Sequence, residues 1–291
     1  MHNGTVTEDY LLIMPATRER GFMGKLKYRP YKNVNCYPPR NVFRRAKKER
    51  LLTMVHLPVA STKELYAVAP SKIIALGLNY RDHIAESRSV NVTGFTEEIP
   101  TEPILFPKTP NCLIGPGEPI LLPQFIREYG FEEIRNDYEA ELAFIIKSQC
   151  KNVAPNEATK YIFGFTCFND VSQRNIQRLD RSGWFRAKSL DTFGPIGPRV
   201  VLAEDIGDPQ NLQLQCRLNG KVVQHSNTKH MVFTIPEILA FVSKNFTLMP
   251  GDIIATGTPS GVGPLQPGDV VEVEIEKIGI LRNPVMEEAL M

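Results

Sequence analysis

No pair of cysteines in this chain stands at a spacing that would make a framework. Cys36, Cys112, Cys150, Cys167 and Cys216 are scattered, odd in number and lack any C-x-x-C unit. That excludes a zinc ribbon and a disulfide scaffold, and it predicts reduced thiols in a cytosol-like compartment. Long apolar runs are also missing. None reaches the roughly 18–20 residues of a membrane span, and the N-terminus has no secretory hydrophobic stretch, so a soluble cytoplasmic protein without a membrane partner is expected. Net charge is nearly absent: 34 Lys and Arg against 32 Asp and Glu leave +2, too near balance to imply a polyanionic partner for the whole molecule. The balance hides a segregation. Residues 18–50 hold twelve basic and two acidic side chains, a local +10, so the rest of the chain is −8. Such an arm could hold nucleic acid or anionic lipid, or could direct the chain to an organelle. Pro, Asn and Tyr interrupt its charges, serine is scarce and no recognition motif accompanies it. A solvated extension, or a patch facing an acidic subunit surface, is the simpler reading.

What the chain does contain, from about Pro70 onward, is a series of short strands. "SKIIALGLNY" reads as a buried strand ending near Gly77. "LQLQCRLNGKVVQ" alternates Leu212, Leu214, Cys216 and Leu218 up to Asn219-Gly220 and then resumes, a hairpin signal because both turn residues need positive φ. "TIPEILAFVSKNF" opens with the capping box Thr234-x-x-Glu237 and continues with helical apolar spacing. "MPGDIIATGTP" and "QPGDVVEVEIEKIG" each begin with a Pro-Gly-Asp turn that feeds a strand. Many strands, few helices and 23 prolines predict a strand-dominated α+β domain over 69–291, after an N-terminal part over 1–68. "GTPSGVGP" has the wrong spacing for a dinucleotide loop, and Pro264 stands where a helix should begin.

Two groups of glutamates differ in an instructive way. In "VVEVEIE", Val271, Val273 and Ile275 face one way and Glu272, Glu274 and Glu276 the other, the pattern of a strand with one solvated face. In "NDYEAELAFIIK", Glu139 and Glu141 are followed by Leu-Ala-Phe-Ile-Ile, so the alternation is lost and both faces of the strand are buried. Two carboxylates aimed one way beside apolar neighbours repel each other and lose hydration, unless a proton or a cation intervenes. A hard divalent ion resolves that conflict, with Asp170 in "FGFTCFNDVSQRNIQ" supplying a third carboxylate. The rival reading is a pair of acids sharing a proton, as in glycoside cleavage. A metal-dependent nuclease also gathers acids in this way, but the body of the chain is net acidic.

Six stretches, "KIIALGLNYRDHIAE", "DYEAELAFII", "GFTCFNDVSQRNIQ", "AKSLDTFGPIGP", "LNGKVVQHSNTKHMVF" and "LMPGDIIATGTPSGVG", follow one another in this order. Together they resemble the fumarylacetoacetate hydrolase family in its short bacterial and mitochondrial branch, over about residues 68–285. The resemblance implies a mixed β-sandwich roll with a small N-terminal part, and a homodimer. It implies a divalent ion, Mg²⁺ with Mn²⁺ or Ca²⁺ as alternatives, on Glu139, Glu141 and Asp170.

The same resemblance gives roles to other positions. Lys188 would face a developing oxyanion, and Glu86 would orient His83 as a base toward water. Arg174 and Gln177, three apart, would share a helix face toward the substrate. Thr258 would bind the substrate carboxylate through its hydroxyl and the adjacent backbone. "SRSVNVTGFTEEIP" suits a lid. The implied substrate is a small 2-oxo or β-diketo acid, and the implied reactions are hydrolytic C–C cleavage of an acylpyruvate or isomerisation of a 2-hydroxy-dienedioate in aromatic catabolism. Oxaloacetate decarboxylation or tautomerisation is the alternative. Two departures stand out. Asn175 replaces the usual Asp, and Leu78 stands where some acylpyruvase- and decarboxylase-type members have Arg, which weakens the case for small dianions.

Overall fold

The computed structural model describes residues 54–62, 64–87, 99–181 and 184–289. The basic segment 18–50, Cys36 and residues 88–98 of the suggested lid lie outside the described residues. Residues 51–291 form one compact unit. Val55, Leu57 and Val68, all buried, belong to the same apolar cluster as the main strands.

Seven strands make the central mixed sheet, in the order Ile104–Lys108, Ile73–Gly77, Ile253–Ala255, Ala140–Ile146, Ile162–Asn169, Gly194–Leu202 and Leu113–Ile114. The Ala140–Ile146 strand is its centre and is antiparallel to both neighbours, with Ala143 opposite Ala255 on one side and Thr166 on the other. All seven of its residues are buried, which is why its sequence has no polar alternation. Burial of side chains such as Leu142 and Phe144 contributes about 1.5–3 kcal/mol each.

A second sheet of five strands runs Lys221–Asn227, Gln213–Leu218, Val270–Ile275, Gly279–Glu287 and Ile120–Leu122. Its inward side chains, among them Leu214, Val273 and Leu281, join Leu142, Phe144 and Phe165 in one core. The predicted hairpin forms, with Asn219 at φ 51° and Gly220 at φ 79°. The expected alternation of Val270–Ile275 is present, and its outward glutamates meet a cation. Arg217 Nε lies 2.9 Å from Glu272 Oε2 and Nη1 2.5 Å from Glu274 Oε2.

The predicted helix spans Ile235–Asn245. Its first turn is held by Glu237, whose Oε2 accepts from Thr234 N at 2.8 Å and from Thr234 Oγ1 at 2.7 Å. Among the described residues no helix is long and apolar enough to cross a membrane. Cys112, Cys150, Cys167 and Cys216 are free and buried, as expected of reduced thiols.

Candidate active site

Glu139 sits at a break between two sheets. Asn136–Tyr138 pairs in a three-stranded sheet with Ser172–Gln173 and Gly263–Pro264, whereas Ala140 already belongs to the central sheet. The continuous strand read from the sequence is therefore interrupted at Glu139. Its N–H donates to Asn169 Oδ1 at 2.9 Å, and its carbonyl accepts from Asp170 N at 2.9 Å. These bonds fix Glu139 to the end of the Ile162–Asn169 strand, and the two glutamates still converge. One carboxylate oxygen each from Glu139, Glu141 and Asp170 lies within 4.8 Å of the others, and all three residues are buried.

The charges around this cluster nearly cancel. Lys188 Nζ bridges Glu139 Oε2 and Asp170 Oδ2, at 2.7 Å from each. Lys108 Nζ stands 2.6 Å from Asp170 Oδ1. Arg174 donates from Nη2 to Glu139 Oε1 at 2.6 Å, from Nε to Asp137 Oδ2 at 2.7 Å and from Nη1 to Gln177 Oε1 at 3.0 Å. Burial pushes Glu139 up, but Lys188 and Arg174 outweigh it and hold the carboxyl down at about 2. Burial opposes the charge of Lys188, yet Asp170 and Glu139 raise its pKa above the usual lysine value.

Glu141 is different. Burial first, then Asp170 and Glu139, push it well above the carboxylate range. Its Oε2 accepts from Gly257 N at 2.9 Å, while Oε1 is buried with no hydrogen-bond partner among the described residues. Apart from Glu141, the buried acids Asp137, Glu139 and Asp170 face the three buried cations Lys108, Lys188 and Arg174. Half-buried Arg135 also pairs with Asp137, at 2.8 Å. An orphaned oxygen in a set of three converging carboxylates fits a divalent cation that takes oxygen ligands.

A narrow cleft opens in front of Glu139. His83, Arg174, Gln177, Lys188 and Thr258 line its polar side, with Leu78, Phe106 and Trp184 on the other. Glu141 and Asp170 lie behind, fully buried. The structure thus brings together every candidate site residue read from the sequence. His83 and Glu86 lie on the Arg81–Ser87 helix, with Nδ1 3.2 Å from Glu86 Oε2. Burial raises the pKa of Glu86, but the bonds from His83 and from the Gly261 N–H at 3.0 Å leave it below the usual value. Lys188 lies 4.9 Å from the ring centroid of Phe106, on a poorly hydrated wall.

The "GTPSGVG" loop has a use of its own. Its Gly257 and Gly261 amides hold Glu141 and Glu86 respectively. A Cβ on Gly261 would lie 2.1 Å from Val223 O, and one on Gly257 2.8 Å from Asn79 Cβ, at φ +94° and +93°. Only glycine permits that approach.

Some expected roles change. The Thr258 hydroxyl donates to Ala140 O at 2.9 Å and accepts from Gln224 Nε2 at 2.9 Å. It therefore has no proton left for a substrate carboxylate, which leaves the adjacent backbone for that task. Asn175 turns away from the acids. It accepts from Arg135 N at 2.9 Å and donates to Glu133 O at 2.8 Å, and an Asp could not make the second bond. Leu78 adopts φ 57°, a left-handed conformation rare for leucine, on the cavity wall.

Lys108, Asp137 and Gln224 were not legible as site residues. For Lys108 the signal was present, since a lysine closing the apolar strand "ILFPK" poses the same question as the glutamates do.

Residues 72–286 match the family described as fumarylacetoacetate (FAA) hydrolase C-terminal. The chain belongs to the fumarylacetoacetate hydrolase family. Among curated relatives, the mitochondrial oxaloacetate tautomerase of Xenopus laevis is 42% identical over 226 residues, 75% of this chain and 66% of that one. Among solved structures, 2-hydroxyhepta-2,4-diene-1,7-dioate isomerase from Mycobacterium marinum superposes with a TM-score of 0.65 at 37% identity, over 78% of this chain and 79% of that one. Maleylpyruvate hydrolase from Sphingobium sp. SYK-6, solved with manganese(II) and pyruvate, gives a TM-score of 0.63 at 32% identity, over 77% and 73%. The expected strand-dominated fold of the fumarylacetoacetate hydrolase family is therefore the observed one. This chain is an enzyme of a family of hydrolases and isomerases, and the nuclease reading of its acids falls away.

Proposed function

We propose that the enzyme acts on a 2-oxo acid with a second carbonyl, or on its 2-hydroxy-dienoic counterpart, by chemistry that passes through the enolate. The preferred reaction is hydrolytic C–C cleavage of an acylpyruvate-type acid, or isomerisation of a 2-hydroxy-dienedioate. Glu139, Glu141 and Asp170 would hold a divalent ion, Mg²⁺ by preference. When bound, such an ion supplies Lewis acidity toward the carboxylate and 2-oxo oxygens of the substrate. The manganese and pyruvate of the Sphingobium maleylpyruvate hydrolase support this assignment.

The protein's own groups divide the remaining work. Arg174 spends three of its five N–H donors on Asp137, Glu139 and Gln177, and it lines the cavity where an anionic substrate would enter. Lys188, charged and buried, is fixed beside the position where negative charge develops. His83, with Glu86 at its Nδ1, removes a proton from water for cleavage, or moves one between substrate carbons for isomerisation. The observation that carries the proposal is the convergence of three buried carboxylates on one point beside that dyad. A second reading, oxaloacetate tautomerisation, is supported by the Xenopus relative.

The test is a panel of an acylpyruvate, a 2-hydroxy-dienedioate and oxaloacetate with Mg²⁺ or Mn²⁺, with products followed by NMR. Cleavage, double-bond migration and keto–enol exchange give different spectra. Turnover that survives rigorous chelation and dialysis would end the metal-dependent reading.

A further inference from the structure

We infer that Gln224 is a positioning residue for this site, a single buried amide that fixes the metal-ligand strand against the substrate wall. The inference rests on the proposed metal role of Glu139 and Glu141 and on Thr258 as part of the cavity wall. Gln224 comes from a hairpin whose neighbouring residues Lys221, Val222 and His225 are exposed, yet it is itself only 1% exposed. A bulge accounts for the contrast. Cys216 pairs with Gln224 and Arg217 with Val222, so Val223 is the extra residue. A bulge bends the strand and re-aims the side chain beside it, and here it turns a polar group inward.

Both polar atoms of that amide are then engaged. Oε1 accepts from Ala140 N at 3.0 Å, while Nε2 donates to Thr258 Oγ1 and to Pro259 O, each at 2.9 Å. The partners fix the orientation of the amide, because a backbone N–H can only donate and a backbone carbonyl can only accept. Ala140 is the residue between the two ligand glutamates. Thr258 and Pro259 belong to the loop whose Gly257 N–H holds Glu141 and whose Gly261 N–H holds Glu86. One side chain therefore ties the seat of the metal to the wall of the cavity and, through the loop, to the partner of His83. Loss of such a buried network member displaces the groups it orients and leaves their polar atoms unmatched.

The test uses Gln224→Met, Thr258→Val and the double variant, with Mn²⁺ binding followed by electron paramagnetic resonance and pyruvate binding to the Mn²⁺-loaded protein followed by calorimetry. Circular dichroism reports the fold. Gln224→Met is expected to weaken Mn²⁺ and pyruvate binding each by about tenfold or more. The pyruvate losses of the two single variants should not add in the double variant, because the two side chains act through one hydrogen bond. A folded Gln224→Met that binds Mn²⁺ and pyruvate within about twofold of the parent, or additive losses, would overturn the inference. Should that variant not fold, Gln224→Glu carries the test, because it keeps the acceptor for Ala140 N. Undiminished Mn²⁺ affinity with weakened pyruvate binding supports the inference, and unchanged pyruvate binding overturns it. If the parent protein itself binds no Mn²⁺, the metal assignment fails, a result separate from any effect at Gln224.

Discussion

Glu141 and Asp170 are both buried acids of the same cluster, yet their removal should have opposite consequences for folding. Asp170 pairs with two buried ammonium groups, Lys188 at 2.7 Å and Lys108 at 2.6 Å. Asp170→Asn leaves both with less compensation, which typically costs about 3–5 kcal/mol. Among the described residues Glu141 has no ion pair, and burial, Asp170 and Glu139 raise its pKa against the opposing charge of Lys188. Glu141→Gln replaces a carboxyl whose charged form its surroundings disfavour with a neutral group of the same shape. In chelator, urea denaturation should therefore give a lower midpoint for Asp170→Asn and an unchanged or higher one for Glu141→Gln. Mn²⁺ titration should find affinity weakened by about tenfold or more in both. A Glu141→Gln protein as destabilised as Asp170→Asn would contradict the charge balance described for the cluster.

Among the elements, the loop from Thr256 to Gly263 is small but decisive, because its amides complete two carboxylates on different sides of the site. Gly261 has no room for a methyl group, since a Cβ would lie 2.1 Å from Val223 O. Gly261→Ala must shift the loop and withdraw the N–H from Glu86, which loosens the orientation of His83. The expected result is a fall in kcat of about tenfold or more with the central sheet intact, read by steady-state kinetics and circular dichroism. In contrast, Leu142→Ala acts on the sheet and not on the loop. Leu142 is fully buried, and its truncation should lower stability by about 2–5 kcal/mol in urea denaturation.

For the whole molecule, part of the acid stability is expected from a carboxylate outside the cavity lining. Asp252 Oδ1 accepts from Ser71 Oγ at 2.6 Å and Lys72 N at 3.1 Å, Oδ2 accepts from Met249 N at 2.7 Å, and Lys72 Nζ lies 2.5 Å from Oδ2. Burial raises its pKa, but the bonds from Lys72, Ser71 and Met249 together bring it below the usual aspartate value. A depressed folded-state pKa means that the stabilisation is complete above the unfolded-state value of about 3.9 and is lost as pH falls through the folded one. Asp252→Asn should lower Tm near neutrality and flatten the acid limb of the Tm-against-pH curve. A parallel acid limb in the variant would assign that limb to other groups.

Local chemistry determined much of this protein before any contact was known. The Asn219-Gly220 turn, the Thr234–Glu237 cap and the Leu142–Ile146 run each depend on a few neighbouring residues, so their structure is written in short stretches. The acids also declared themselves, because a charge at the mouth of an apolar strand needs a partner. What the tertiary structure decided is everything that depends on residues distant in sequence: that Glu139 lies at a break between sheets, that Lys108 and Lys188 neutralise Asp170, and that the Thr258 hydroxyl is already committed. Gln224 belongs to the same class. Its role arises because a bulge in one hairpin meets a strand 84 residues earlier and a loop 34 residues later, and hydrogen-bond partners at such separations leave no periodic trace in the sequence.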